Sequence, residues 1–360
     1  MTSDLSPTAA MHAAAAAALD LAGVAWCRLR DAHGGPEDDL LVGSDDLDRA
    51  ARALASVGFA RVRHLGHGSH RAFHAVDRAT GVWAKIDAVT RIDLGAHQEV
   101  RTTLAAGFLA RRLLGASGRG SGEATLAPDD AFWALLLHEL RDRPAPAIRR
   151  PDDLAAAARQ AHADARVAHE VRPILPAGTE PATVIQMSAV GDRDGLLRLG
   201  RRMRSRPGAL VRVRRLVARG LRVLDRCDPP FVRRGLSIGL IGPGGTGSSS
   251  IARAIADRAA APLPVQVVAS IGMWRGWLVG RVGVARGRLV IFDLERSGPD
   301  SPDDLRPTTD RVPPTGRRFR ALPGPDLVVV LDDPGRPIDA LARDVMVLAW
   351  DRLAARTGRR

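Results

Sequence analysis

The stretch that most constrains this chain is residues 235–250, GLSIGLIGPGGTGSSS, where an apolar run enters a glycine-rich turn and then SSSIARAIADRAAA, a helix-forming segment. An uninterrupted apolar run of this length suits a strand covered on both faces. The pattern then repeats: PVQVVAS, RLVIFD (288–293) and PDLVVVLD (325–332) are short apolar strands, and PIDALARDVMVLAWDRLAAR is a closing helix. Strands alternating with helices in this way predict α/β architecture with a parallel sheet from about residue 231 to the end.

The turn itself lies close to G-x-x-x-x-G-K-[ST], the loop whose backbone N–H groups cradle phosphates. Gly242, Gly247 and Ser249 fall in register, Gly244, Gly245 and Thr246 lie between the outer glycines, and Ser250 continues the helix start. Glycine is needed where N–H groups must turn inward through dihedral angles that a side chain obstructs. Ser248 stands where the pattern has lysine. Two readings stay open on this motif alone: a phosphate cradle without its lysine, or a structural glycine turn. An arginine could stand in for the missing charge, with Arg253, Arg275 and Arg296 as candidates. Asp293 and Asp332 close the next two expected strands, and ligand groups in open α/β sheets gather at such carboxyl ends.

In this order of features the segment 235–345 resembles the thymidylate kinase family of P-loop nucleoside monophosphate kinases. The resemblance implies ATP or another nucleoside triphosphate with Mg2+, phosphate binding by Gly242 to Ser249 with Ser250 and Asp332 nearby, a magnesium role for Ser249, and a catalytic role for Asp293. Three departures bear on catalysis. Ser248 replaces the lysine, the family's Asp-Arg pair reads DLER here so that the arginine moves to Arg296, and the chain stops soon after DRLAARTGRR, which shortens the arginine-rich lid and last strand. Together they imply a degenerate kinase, a nucleotide-binding accessory or regulatory protein. An active ATP-dependent phosphotransferase is the alternative.

The N-terminal part predicts a different unit. An alanine-rich helix over 8–22 follows Ser6-Pro7, strands are expected at 23–30, 38–43, 70–77 and 81–89, and a helix spans 46–58 with Gly58 as its stop. RLRDAHGGPEDDLLVGSDD followed by VWAKIDAV resembles a nucleotidyltransferase core, in which carboxylates at i and i+2 on one strand share a divalent metal with a third from its neighbour. The matching positions are Glu37, Asp39 and Asp87, with Glu37 where aspartate is usual and no recognisable Gly-Ser turn upstream. The plain alternative is a solvated acidic turn before an apolar strand. His64, His67, His70 and His74 form a further cluster, but His70 and His74 stand two pleats apart, an awkward grip for tetrahedral zinc, so a strand with partly exposed histidines is expected.

Residues 97–230 read as mostly helical, with a glycine-rich break at 115–124. The division expected is therefore an α+β nucleotidyltransferase-like domain (1–114), a helical connecting region (115–230) and a P-loop domain (231–360). Proteins with that arrangement resemble accessory members of bacterial surface-polysaccharide gene clusters. Within 198–226, Leu210, Val213, Val217, Leu221 and Leu224 recur at helical spacing among arginines. A core-facing stripe with a solvated basic face is expected, and a basic scaffold or an adaptor on a membrane surface is the alternative.

Composition sets outer bounds. The net charge is +13, nearly all the basic charge is arginine, and Lys85 is the only lysine, so anionic partners stay open. A nucleotide leads; protein partners follow, then nucleic acid or an anionic membrane. Cys27 and Cys227 give neither a metal spacing nor a disulfide framework, which fits a reducing, cytoplasmic setting. The N-terminus lacks a basic n-region and carries Asp4 and Asp20, unlike a signal peptide, and no apolar run is long enough to span a bilayer.

Overall fold

The computed structural model describes residues 5–29, 37–62, 67–114, 124–142, 147–204, 208–227, 236–243, 248–259, 265–268, 289–296, 327–330 and 337–357. The chain forms two compact units, one of residues 1–77 and 83–226 and one of 78–82 and 227–360. It is mixed α/β, with strands and helices in both units.

In the first unit, Ser6 caps α1 (Pro7–Leu21) by accepting from the Ala9 N–H at 3.3 Å, and Pro7 begins the helix with φ already suited to it. Strands β1 (Trp26–Arg28) and β2 (Glu37–Val42) follow, then α2 (Leu47–Ser56), β3 (Ala60–Val62), β4 (His70–Val76) and β5 (Trp83–Val89). Gly58, at φ +90°, makes the turn out of α2. A separate antiparallel pair, β6 (Asp93–Leu94) with β7 (Val100–Arg101), precedes α3 (Leu104–Arg111), and β8 (Leu113–Leu114) and β9 (Ala124–Thr125) come next. Six helices complete the unit: α4 (Pro128–Arg141), α5 (Pro151–Gln160), α6 (Arg166–Val171), α7 (Pro181–Ala189), α8 (Arg193–Arg204) and α9 (Ala209–Cys227).

The main sheet runs in the order β3-β4-β5-β2-β1-β9-β8, with β2 parallel to β5, β1 parallel to β9 and the other pairs antiparallel. One hydrophobic core joins this sheet to the helices after it, from Leu19 and Trp26 through Phe73 and Ile86 to Trp133, Leu137, Val184 and Met203. The boundary expected at 114 is therefore not a domain boundary: β8 and β9 pair across it, and α4 to α8 bury their apolar faces on the same core that covers the sheet. Helices that lack a core of their own fold with the sheet that supplies one.

The basic stretch 198–226 also differs from its expected form. It is two helices, α8 ending at Arg204 and α9 starting at Ala209. The α9 stripe does not face the core. Leu210 is 72% exposed, Leu216 68%, and Val213 and Val217 56% each. It is the polar side of α9 that docks, Arg215 donating to Glu99 Oε1 at 2.7 and 3.0 Å and Arg222 to the Ala96 carbonyl at 2.7 Å.

The second unit contains β10 (Leu236–Pro243), α10 (Ser248–Ala259), β11 (Val265–Val268), β12 (Leu289–Arg296), β13 (Leu327–Val330) and α11 (Ile338–Thr357). The four strands form a parallel sheet in the order β11-β12-β10-β13. Leu236, Ile238 and Leu240 are fully buried in β10, and Ile251, Ala252 and Ile255 bury one side of α10. No helix among the described residues is long and apolar enough to cross a membrane.

Candidate functional site

In the second unit the order of strands defines a switch point. From β10 the chain passes through α10 to β11, two places away on one side, whereas from β12 it returns past β10 to β13 on the other. Crossovers between parallel strands are right-handed, so connections leaving neighbouring strands in opposite directions lie on opposite faces of the sheet. A crevice opens between such strands at their carboxyl ends, the topological switch point where α/β sheets take ligands. Here it falls between β10 and β12.

Of the expected residues, Gly242, Asp293 and Arg296 lie on these two strands. β10 and β12 run in parallel register, with Leu240 beside Asp293, Gly242 beside Glu295 and Pro243 beside Arg296. β12 is longer than expected: Asp293 lies three residues before its end, because pairing with β10 continues to Arg296. α10 opens at Ser248, five residues beyond the end of β10, with Ser249, Ser250 and Arg253 exposed in its first turns. A twelve-residue helix presents the positive end of its dipole at this point. Gly244, Gly245, Thr246, Gly247, Arg275 and Asp332 lie outside the described residues.

In the first unit the expected carboxylates share one face. β2 and β5 are parallel with Glu37 beside Lys85 and Asp39 beside Asp87, so the pair at i and i+2 and the third acid from the next strand do meet. Their chemistry differs from the expectation. Glu37 Oε1 accepts from Lys85 Nζ at 3.0 Å, and Asp87 Oδ2 lies 2.9 Å from His70 Nδ1. Burial pushes the Asp87 carboxyl up, but the His70 hydrogen bond and the positive charges of His70, Lys85 and His67 outweigh it and hold the carboxyl below its ordinary value. Among the described residues no three or more His, Cys, Asp or Glu side chains form a group that could hold a metal ion. Of the three expected acids, Glu37 thus already has Lys85 as a partner and Asp87 has His70.

In the histidine cluster, His64 lies outside the described residues, His67 and His70 are partly exposed as expected, with His70 paired to Asp87, and His74 is buried at 2% exposure rather than partly open.

One group escaped the sequence reading. Asp38, between the two acids singled out, points to the opposite face with Leu40 and Val42 and is 3% exposed. Its Oδ2 accepts from Arg28 Nε at 3.0 Å, while Oδ1 is buried without a hydrogen-bond partner. Strand alternation carried the signal: three acids in a row cannot all face one side, and the one on the side of Leu40 needs a buried cation. His12 of α1 completes the cluster, its Nε2 donating to the Lys85 carbonyl at 3.3 Å.

Burial lowers the His12 pKa, and the Asp38 charge and the Lys85 carbonyl only partly oppose this. The unfolded chain therefore binds a proton near pH 6.5 that the folded chain resists. The resulting stability is present above that pH and is lost as pH falls below it. The melting temperature is expected to drop between about pH 7 and pH 5, and His12→Gln to flatten that drop. A wild-type and variant pair with parallel melting curves across this range contradicts the assignment.

Comparison of the chain with family models, with curated proteins and with solved structures finds no match in any of the three.

Proposed function

We propose that the second unit binds a nucleoside triphosphate at the carboxyl ends of β10 and β12, and that the protein acts as a nucleotide-binding accessory or regulatory protein with weak or lost phosphotransfer. The observation that carries this reading is the coincidence of three features: the switch point falls between β10 and β12, the glycine-rich segment follows β10, and a helix N-terminus follows that segment. A structural glycine turn has no reason to sit at the switch point.

Backbone N–H groups at the start of α10 would receive phosphate oxygens. Ser249 and Ser250, exposed in the first turn, fit a phosphate with its Mg2+, which when bound neutralises phosphate charge. Asp293 and Arg296 of β12 border the same crevice by register with Leu240 and Pro243. Ser248 contributes no charge, so stabilisation of a transferring phosphoryl group is what the site gives up. In the first unit the face of Glu37, Asp39 and Asp87, held by Lys85 and His70, reads as a polar recognition surface derived from a nucleotidyltransferase-like core. A surface-polysaccharide context belongs to the same reading through the order of the parts.

The active-kinase alternative is separated by turnover. Coupled assays of ADP release across nucleoside monophosphates are expected to stay at the no-enzyme background. Turnover that Asp293→Ala abolishes would establish the active enzyme in place of the degenerate one.

A further inference from the structure

We propose that α9 is a docking helix for an anionic lipid surface. Its exposed side is apolar: Leu210, Val213, Leu216, Val217, Leu221 and Val223 are 38–72% exposed. At the helical angle per residue these six cover a continuous arc of roughly 160°. A contiguous apolar face of this kind is uncommon on a soluble monomer and marks an interaction site. The opposite side of the helix is already used, since Arg215 and Arg222 hold it to Glu99 and the Ala96 carbonyl. The orientation is therefore fixed by the first unit, with the apolar side left outward.

Glu99 is a firm anchor for that orientation. Its side chain is 3% exposed, and although burial pushes the carboxyl up, hydrogen bonds from backbone N–H groups, the His97 N–H among them, and from the Arg215 guanidinium hold it below its ordinary value. Gly95, at φ +100°, makes room for it, because a Cβ there would collide with the Glu99 carboxylate.

Charge selects the occupant. Arg212 and Arg219 are exposed along one border of the apolar arc. A second copy of this chain would bring like-charged borders together across a two-fold axis, which opposes pairing. An anionic bilayer accepts both parts: the Leu and Val side chains enter the headgroup boundary while the arginines stay at phosphate level. The helix lies on such a surface and does not span it.

The test is co-sedimentation of the full chain with vesicles of phosphatidylcholine containing phosphatidylglycerol, beside vesicles of phosphatidylcholine alone. Binding to the anionic vesicles is expected, weakening as salt rises. Val213→Asp with Val217→Asp, and separately Arg212→Glu with Arg219→Glu, are each expected to reduce it by about tenfold or more while the melting temperature is unchanged. No binding to anionic vesicles, or binding that the stripe variant leaves intact, overturns the proposal. So does a dimer in light scattering that the stripe variant dissociates, which would assign the face to a second copy. A melting temperature lowered by the stripe variant overturns it too, because the face would then be covered by the chain itself.

Discussion

Arg111→Met is expected to destabilise the first unit by about 3–5 kcal/mol, the largest effect of any single substitution considered. Arg111 closes α3, and its guanidinium joins three helices, donating to Asp130 of α4 at 2.8 to 3.2 Å and to Glu170 of α6 at 2.9 Å. The Asp130 side chain is fully buried, so loss of the cation strands a carboxylate without counter-charge. Methionine retains the apolar stem, which confines the loss to the charge. The direction of pH dependence follows. Burial already pushes the Asp130 carboxyl up, with Arg111 opposing. Without Arg111 the folded state binds this proton more readily than the unfolded chain, so the deficit is largest above the folded pKa and shrinks as pH falls. Urea unfolding at several pH values checks both points, and adding Asp130→Asn is expected to recover part of the loss. A deficit below about 1 kcal/mol, the value of an exposed pair, contradicts this assignment.

The second large effect is a gain. Ser248→Lys is expected to tighten nucleotide binding at least tenfold, because a unit charge about 4 Å from a phosphate at an effective dielectric of about 20 contributes about 4 kcal/mol before the costs of ordering and desolvating the lysine. The helix end alone supplies about 0.3–1 kcal/mol. The same substitution separates the two functional readings. If an arginine already occupies the lysine's place, a second cation meets repulsion and the gain falls below about twofold. Fluorescence titration of both proteins with ATP and Mg2+ measures the difference.

Much of this was legible in the sequence because the relevant signals are local. Apolar runs followed by glycine-rich turns gave the strands of the second sheet, and α2 ends near Gly58 as its composition predicts. The order β11-β12-β10-β13 was not legible, since strand order is set by how crossovers pack, yet it is what brings β12 beside β10. Alternation in EDDLLV correctly put Glu37 and Asp39 on one face, but Lys85, the partner of Glu37, comes from β5, and His70, the partner of Asp87, from β4, and cross-strand register decides such pairs. The α9 stripe shows the limit most directly. Periodicity establishes that one side of a helix is apolar, while which side docks depends on what the fold offers, here the buried carboxylate of Glu99 rather than an apolar wall.

The central claim, a phosphate cradle between β10 and α10, is tested most directly by calorimetric titration of the full chain with ATP in the presence of Mg2+. One saturable site is predicted, with Kd on the order of 10 µM to 1 mM given the missing lysine, and with the heat lost in Gly247→Val. The absence of saturable binding at millimolar ATP, or binding that Gly247→Val leaves unchanged, would contradict it.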